Sequence, residues 1–305
     1  MQRFEKILFV NDPGTDNAPA LQRAAQLART NQAQLTIVNV GQELPASLND
    51  FGQTFRRLQE EQFQSLVGEI DAEGIDVKTQ QLTGTPFLEI IKEVIRGGHD
   101  LVIKPAEGRG GLSSMLFGTT DLHLLRKCPC PVWIIKPSKR KQYARILAAV
   151  DPDPAEPANA NLNRLILDLA TSLARREDSE VHIVHAWTMP YESTLRSGRA
   201  HLPKADIDQL VRATGNTHKE WMNQLLGHYD LRDIPAEVHL LKGSPGDVIP
   251  RMAHEKSVEL IVMGTVARTG IPGFFIGNTA EKTLAAVDCS ILAVKPSSFS
   301  TPVEG

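Results

Sequence analysis

Two hydrophobic patterns alternate along this chain. Short aliphatic and aromatic runs stop at turn residues, and between them apolar positions fall three and four apart. Runs of this length predict buried strands, and the spaced positions predict one-faced helices. The runs at 6–10 and 145–150 halt before Asp12-Pro13 and Asp151-Pro152. Leu21, Ala24, Ala25 and Ala28 mark the helix after the first run; Leu165, Leu169, Leu173 and Ala174 mark the one after its counterpart. Further strands are predicted at 35–40 and 181–186, 76–82 and 236–241, 100–104 and 259–263, and 132–135 and 291–294. Long helices are predicted over 48–72 and 204–229, the second after a polar loop holding Pro190 and Pro203. Gly84-Thr85-Pro86 and Gly243-Ser244-Pro245 close the third strands. Proline suits a first helical turn, where its φ is already set and no N–H is needed, so helices over 87–96 and 246–254 should begin at Pro86 and Pro245.

The doubled list reflects an internal repeat. Gly84, Gly118 and the pair Lys136-Pro137 return as Gly243, Gly277 and Lys295-Pro296, each 159 positions later. Arg109/Arg268, Gly111/Gly270, Thr120/Thr279, Leu125/Leu284 and Cys130/Cys289 match between those anchors without a gap. The starts agree at an offset of 139, through Ile7-Leu8 and Ile146-Leu147. Each half is therefore a second example of one design. We expect one domain over 1–138, another over 143–297, and a tail over 298–305.

Strands alternating with helices make βαβ units, and right-handed crossovers turn these into a doubly wound parallel sheet. The expected α/β architecture is two tandem five-stranded sheets, each in the order 3-2-1-4-5 and joined around 138–142. The fifth strands are apolar, and an uncovered edge of that character invites pairing, so the halves should pack there as an internal pseudo-dimer. A homodimer of whole chains is a further expectation. Ligands of such sheets bind beyond the carboxyl ends of the strands where the order reverses. Here that is between strands 1 and 4.

Composition narrows the class. Of the 305 residues, 41% are hydrophobic and 23% charged, as in ordinary globular domains. A net charge of −3 leaves no footprint for nucleic acid, and Lys139-Arg140-Lys141 falls in the expected linker. Three cysteines make no disulfide framework and point to a reducing compartment. No apolar run approaches the roughly 18 residues of a membrane span, and no leader pattern precedes residue 6. A cytoplasmic protein without membrane attachment is expected.

The chemistry-bearing segments follow strand 4. The second half reads Gly264-Thr265-Val266-Ala267-Arg268-Thr269-Gly270 and then Gly277-Asn278-Thr279 ahead of a helix. Small residues let backbone N–H groups approach phosphate oxygens, and the helix N-terminus adds donors and a favourable dipole. The same glycines also serve tight strand-to-helix turns. The pattern Gly-x2-Gly-x9-Gly-[Ser/Thr], with an Asp closing strand 1, is similar to the nucleotide-binding signature of the universal stress protein family. The segments from Thr120 to Pro129, Gly264 to Gly270 and Ile276 to Glu281 resemble its tandem-domain class, the E type. That resemblance covers almost the whole chain.

The resemblance implies the doubly wound fold and, in some members, bound ATP or AMP with Mg²⁺. Carried over, the nucleotide positions are Asp151, Pro152 and Ala186 for the nucleoside, and Gly264, Thr265, Arg268, Gly277, Asn278 and Thr279 for ribose and phosphates. A lesser first-half site would use Asp12, Val40, Gly108, Gly118 and Thr119. Both halves depart from the signature. Ala267 replaces the middle glycine and Asn278 the final hydroxyl residue; in the first half Pro105 replaces the leading glycine and removes an N–H. The second half is therefore the expected binder of adenine nucleotide.

No P-loop Gly-Lys-Ser/Thr, HExxH or GxSxG occurs, so at most slow ATP turnover is expected of a regulator or binding module. The alternatives are a tandem scaffold for protein association, or a carrier of another small ligand in the first half with the stripe Phe51, Phe55, Leu58, Phe63 and Leu66. His123, Cys128, Cys130 and His99 lie near one another in sequence, but buried core cysteines are the expectation rather than zinc. His182 and His185 are an odd number apart and should face opposite sides of their strand, His185 beside the nucleoside position.

Overall fold

The computed structural model describes residues 4–41, 49–68, 73–107, 117–138, 140, 142–197, 201–265 and 277–304. The first half runs β1 (Lys6–Asn11), α1 (Ala18–Asn31), β2 (Gln34–Gly41), α2 (Asn49–Gly68), β3 (Asp76–Thr83), α3 (Pro86–Gly97), β4 (Leu101–Pro105), α4 (Thr119–Lys127) and β5 (Val132–Ile135). The second runs β6 (Arg145–Ala149), α5 (Pro157–Glu177), β7 (Glu180–Trp187), α6 (Glu192–Arg196), α7 (Lys204–Leu226), β8 (Ala236–Lys242), α8 (Pro245–Glu255), β9 (Leu260–Gly264), α9 (Asn278–Ala286) and β10 (Ser290–Val294). α6, inside the polar loop before α7, has no predicted counterpart. Pro86 and Pro245 open their helices as expected. The glycines two residues earlier sit at φ 140° and 146°, where any side chain is strained, so the Gly-x-Pro signal is a turn followed by a helix start.

Each half contributes five parallel strands in the order 3-2-1-4-5, but the two half-sheets are not separate. β5 pairs with β10 antiparallel, with Leu292 opposite Trp133 and Ile291 opposite Ile134. The result is one ten-stranded sheet, β3-β2-β1-β4-β5-β10-β9-β6-β7-β8. This corrects the expectation of two distinct sheets while meeting that of fifth-strand packing. The physical reason is visible in burial. β5 and β10 are buried throughout, whereas the outer edges β3 and β8 are largely exposed and carry Lys78, Gln80, Gln81, Glu237 and His239. Apolar edges left unpaired would waste both ladder hydrogen bonds and burial; polar edges do not demand a partner.

Alternate strand residues feed two cores, one on each face of the sheet. Ile7 and Phe9 join one with Ile146, Ala148 and Trp133; Leu8 and Val10 join the other with Leu147, Ile134 and Ile291. Each core therefore crosses the seam. Polar contacts reinforce it. Lys136 donates from its backbone to Ser290 Oγ and from Nζ to Val287 O and Asp288 Oδ1 in the opposite half. Lys295, its repeat partner, is buried against the Cys128 and Cys130 thiols; burial pulls its pKa down while those thiols oppose the shift. Arg23 of α1 meets Glu177 of α5 at 2.7 Å, and Glu177 also accepts from the Tyr143 backbone N–H.

Candidate nucleotide site

The crevice predicted at the carboxyl ends of β1 and β4, and of β6 and β9, has unlike contents in the two halves. In the first, Lys104 is almost fully buried with its Nζ 2.9 Å from Asp12 Oδ2 and 3.0 Å from Asp121 Oδ1. Burial lowers the lysine's proton affinity, but the two carboxylates outweigh it and hold its pKa above the usual value. Burial pushes the Asp121 carboxyl up, against the pull of Lys104. The other Asp121 oxygen accepts from the backbone N–H groups of Glu107 and Gly118, at 3.0 and 3.2 Å. Glu107 turns back onto the start of α4, where its Oε1 accepts from Thr120 N at 3.0 Å. A helix N-terminus attracts a phosphate because its N–H groups are free and its dipole is positive there. In this half a carboxylate of the protein itself takes that place.

The aligned positions of the second half carry Met263 for Lys104, Gly264 for Pro105, Val266 for Glu107 and Ala280 for Asp121. Among the described residues the ion pairs and the carboxylate cap have no equivalents there. No described side chain caps α9, whose first residues, Asn278 and Thr279, are exposed and half-buried. Gly277 donates its own N–H to Thr265 O, and Thr265 donates to Val294 O and, through its hydroxyl, to Leu125 O across the seam. The polar groups of Thr265 thus brace the loop. Gly264 admits Leu162 of α5: a Cβ there would lie 2.8 Å from Leu162 Cδ2. Asp151 closes β6, held through its backbone by Asn163 and approached by Asn159 Nδ2 at 3.3 Å; Pro152 and Ala186 lie half-buried nearby in sequence and strand order. In the first half Val40 is half-buried and Thr119 exposed. Gly108, Arg109, Ala267 and Arg268 fall outside the described residues.

The joint exchange of Lys104, Glu107 and Asp121 for Met263, Val266 and Ala280 was legible in the aligned halves. Three charged positions lost together are a signal that inspection of glycines alone passes over.

His185 reaches beneath Asp151. Its Nδ1 lies 3.3 Å from Val150 O, an atom that only accepts, so the proton sits on Nδ1 and Nε2 accepts from His218 Nδ1 at 2.8 Å. Trp187 stacks on His218, in space left by Gly215, and Trp221 meets it edge-on. Burial, with the neighbouring His218, pushes the His185 pKa down to about 4. The unfolded chain therefore binds a proton that the folded one refuses between about pH 6.5 and 4. Stability should be full above pH 6.5 and fall by about 3 kcal/mol toward pH 4 from this group. His185→Asn should flatten that part of the profile in denaturant titrations; an unchanged acid limb would contradict the assignment.

Other sequence candidates separate in space. His123 stacks on Phe87 and His99 faces Glu93 at 3.5 Å, while Cys128 and Cys130 are buried with sulfurs 3.6 Å apart. Among the described residues these do not form a metal cluster. Phe63 and Leu66 pack into the core, Leu58 is exposed, and Phe51 and Phe55 lie outside the described side chains.

A profile of the Universal stress protein family matches residues 3–136 and again 142–295. The chain belongs to the universal stress protein family. Universal stress protein E of Escherichia coli K12 is 33% identical over 100% of this chain and 98% of its own. The protein of that name from Photorhabdus laumondii is 30% identical over 100% and 99%. Among solved structures, a functionally unknown protein from Pseudomonas aeruginosa PAO1 is 27% identical, with a TM-score of 0.67 over 96% of this chain and 93% of that one. A universal stress protein from Archaeoglobus fulgidus DSM 4304 shares the fold at 19% identity, with a TM-score of 0.63 over 95% and 98%. Among the described residues no helix of this universal stress protein is long and apolar enough to cross a membrane.

Proposed function

We propose that this universal stress protein binds an adenine nucleotide, ATP or AMP with Mg²⁺, in its second half, and acts as a cytoplasmic regulatory binding module rather than an enzyme. The observation that carries this reading is the asymmetry of the crevices. Glu107 and Lys104 fill the first with the protein's own charges, whereas α9 presents an N-terminus that no described side chain caps. Gly277, Asn278 and Thr279 would face the phosphates, with Asp151 near the nucleoside or the cation and Gly264 keeping the strand end narrow. Arg268, between Gly264 and Gly277 in sequence, would supply a positive charge. The filled first crevice argues against Asp12, Val40, Gly108, Gly118 and Thr119 as a second nucleotide site, and against another small ligand there.

Geometry in the first half indicates how to test the second. A Cβ built on Gly118 lies 1.6 Å from Glu107 Oε2, so the side-chain direction at this helix cap points into the anion position. By the repeat, Gly277→Val would project into the proposed phosphate space. Its φ of −66° is ordinary for valine, so the fold should survive. Titration calorimetry with ATP and AMP should show binding by the native protein and a loss of at least about 30-fold, or about 2 kcal/mol, in Gly277→Val. Unchanged affinity in that variant would mean that the nucleotide binds elsewhere than at the start of α9, and no binding by the native protein at millimolar nucleotide would favour the scaffold reading.

A further inference from the structure

On the face of the sheet covered by α8, β7 and β8 bring together three side chains from distant parts of the sequence. His182 stands opposite Glu237 in the β7–β8 register, and Val184 opposite His239, so His182, Glu237 and His239 share one face. His182 Nδ1 lies 3.2 Å from His239 Nε2; Glu237 Oε2 is 3.5 Å from the first and 3.4 Å from the second. We infer that His182, Glu237 and His239 form a divalent-cation site of the zinc type, which ties the outer strand β8 to β7.

The argument is geometric. Tetrahedral zinc with bonds of about 2.0–2.1 Å holds its ligand atoms about 3.3–3.4 Å apart. The three atoms form a nearly equilateral triangle of that size, with the fourth vertex open. Two imidazoles and one carboxylate are a donor set suited to Zn²⁺. At most one proton fits between the two ring nitrogens, and a cation would replace it. The remaining nitrogen of His182, Nε2, has no hydrogen-bond partner among the described residues and faces Glu180 Oε2 at 3.9 Å. A carboxylate behind a ligating histidine is the usual outer support of such sites. His182 is buried while Glu237 is half-exposed, so the triangle has a rigid base and an open approach from solvent. Lys256, at the end of α8, is 2.8 Å from the same Glu237 oxygen and competes with a cation for it. The site is distinct from the nucleotide crevice, since His182 and Ala186 are four residues, or about 13 Å, apart along β7.

The test uses untagged, chelator-stripped full-length protein titrated with ZnCl2, and with Co²⁺ as an optical probe. One equivalent should bind per chain and raise the melting temperature by roughly 3–6 °C at saturating metal. Bound Co²⁺ should show tetrahedral d–d absorption without thiolate charge transfer, which separates this site from Cys128 and Cys130. His239→Ala and Glu237→Gln should each weaken binding by about 100-fold or more, with unchanged circular dichroism. Lys256→Met should tighten it by about fivefold or more, because a repelling charge is gone. Absence of binding at about ten micromolar zinc, binding indifferent to His239→Ala, or weaker binding in Lys256→Met would each overturn the proposal.

Discussion

Lys104→Met is expected to destabilise the protein by about 3–5 kcal/mol. The substitution keeps the length and apolar stem of the side chain but removes the only cation within reach of Asp121 among the described residues. Asp121 is fully buried, so its carboxylate cannot recover solvation and must either stay charged at great cost or take up a proton. Asp12 retains contact with solvent and should lose less. The second half supplies the corrective experiment, because Met263 and Ala280 occupy the same two places there. Adding Asp121→Ala should recover at least half of the loss, since well-packed apolar groups replace a buried ion pair at little net cost. Urea unfolding of both single variants and the double one gives the coupling directly. Strictly additive losses would mean that Lys104 and Asp121 do not act as a pair.

Glu177→Ala is expected to cost a similar amount, about 3–5 kcal/mol, and to weaken the link between the halves. One buried carboxylate accepts from Arg23 Nη1, Arg176 Nη2 and the Tyr143 backbone N–H, and the Arg23 guanidinium lies 3.9 Å from the centre of the Tyr143 ring. Arg23 belongs to the first half and the other three groups to the second, so removing Glu177 damages packing where the chain passes between them. The β5–β10 ladder and the two continuous cores remain. A background with Trp187→Phe and Trp221→Phe leaves Trp133 at the seam as the sole tryptophan. In it, unfolding followed by fluorescence and by far-ultraviolet circular dichroism should stay superimposable, and should separate once Glu177→Ala is added. A loss below about 1 kcal/mol would show that the network is solvated rather than buried.

The repeat made much of the fold readable. Apolar runs that alternate with helical spacing exclude most other architectures, and crossover handedness leaves the order 3-2-1-4-5 for each half. The expected helix over 48–72 is seen as Asn49–Gly68, with 48 and 69–72 outside the described residues; that over 204–229 ends at Leu226, because residues at helix ends carry little packing signal. The seam was readable as well, since two fifth strands with no charged residue imply a partner.

Other features belong to the folded state alone. The sequence by itself determined two doubly wound halves, the apolar character of the strands that join them, and the glycine-rich segments that make a nucleotide site a candidate. The continuity of the sheet was decided by the pairing of two edges more than 150 residues apart, which no local pattern encodes. The closing of the first crevice depended on a turn that carries Glu107 onto Thr120 and on Lys104 reaching two carboxylates from separate elements. The meeting of His182 with His239 depended on strand register, where a slip of one residue would send His239 to the opposite face. Periodicity fixes which face a residue takes within its own element, whereas distance between charges is set only when separate elements pack.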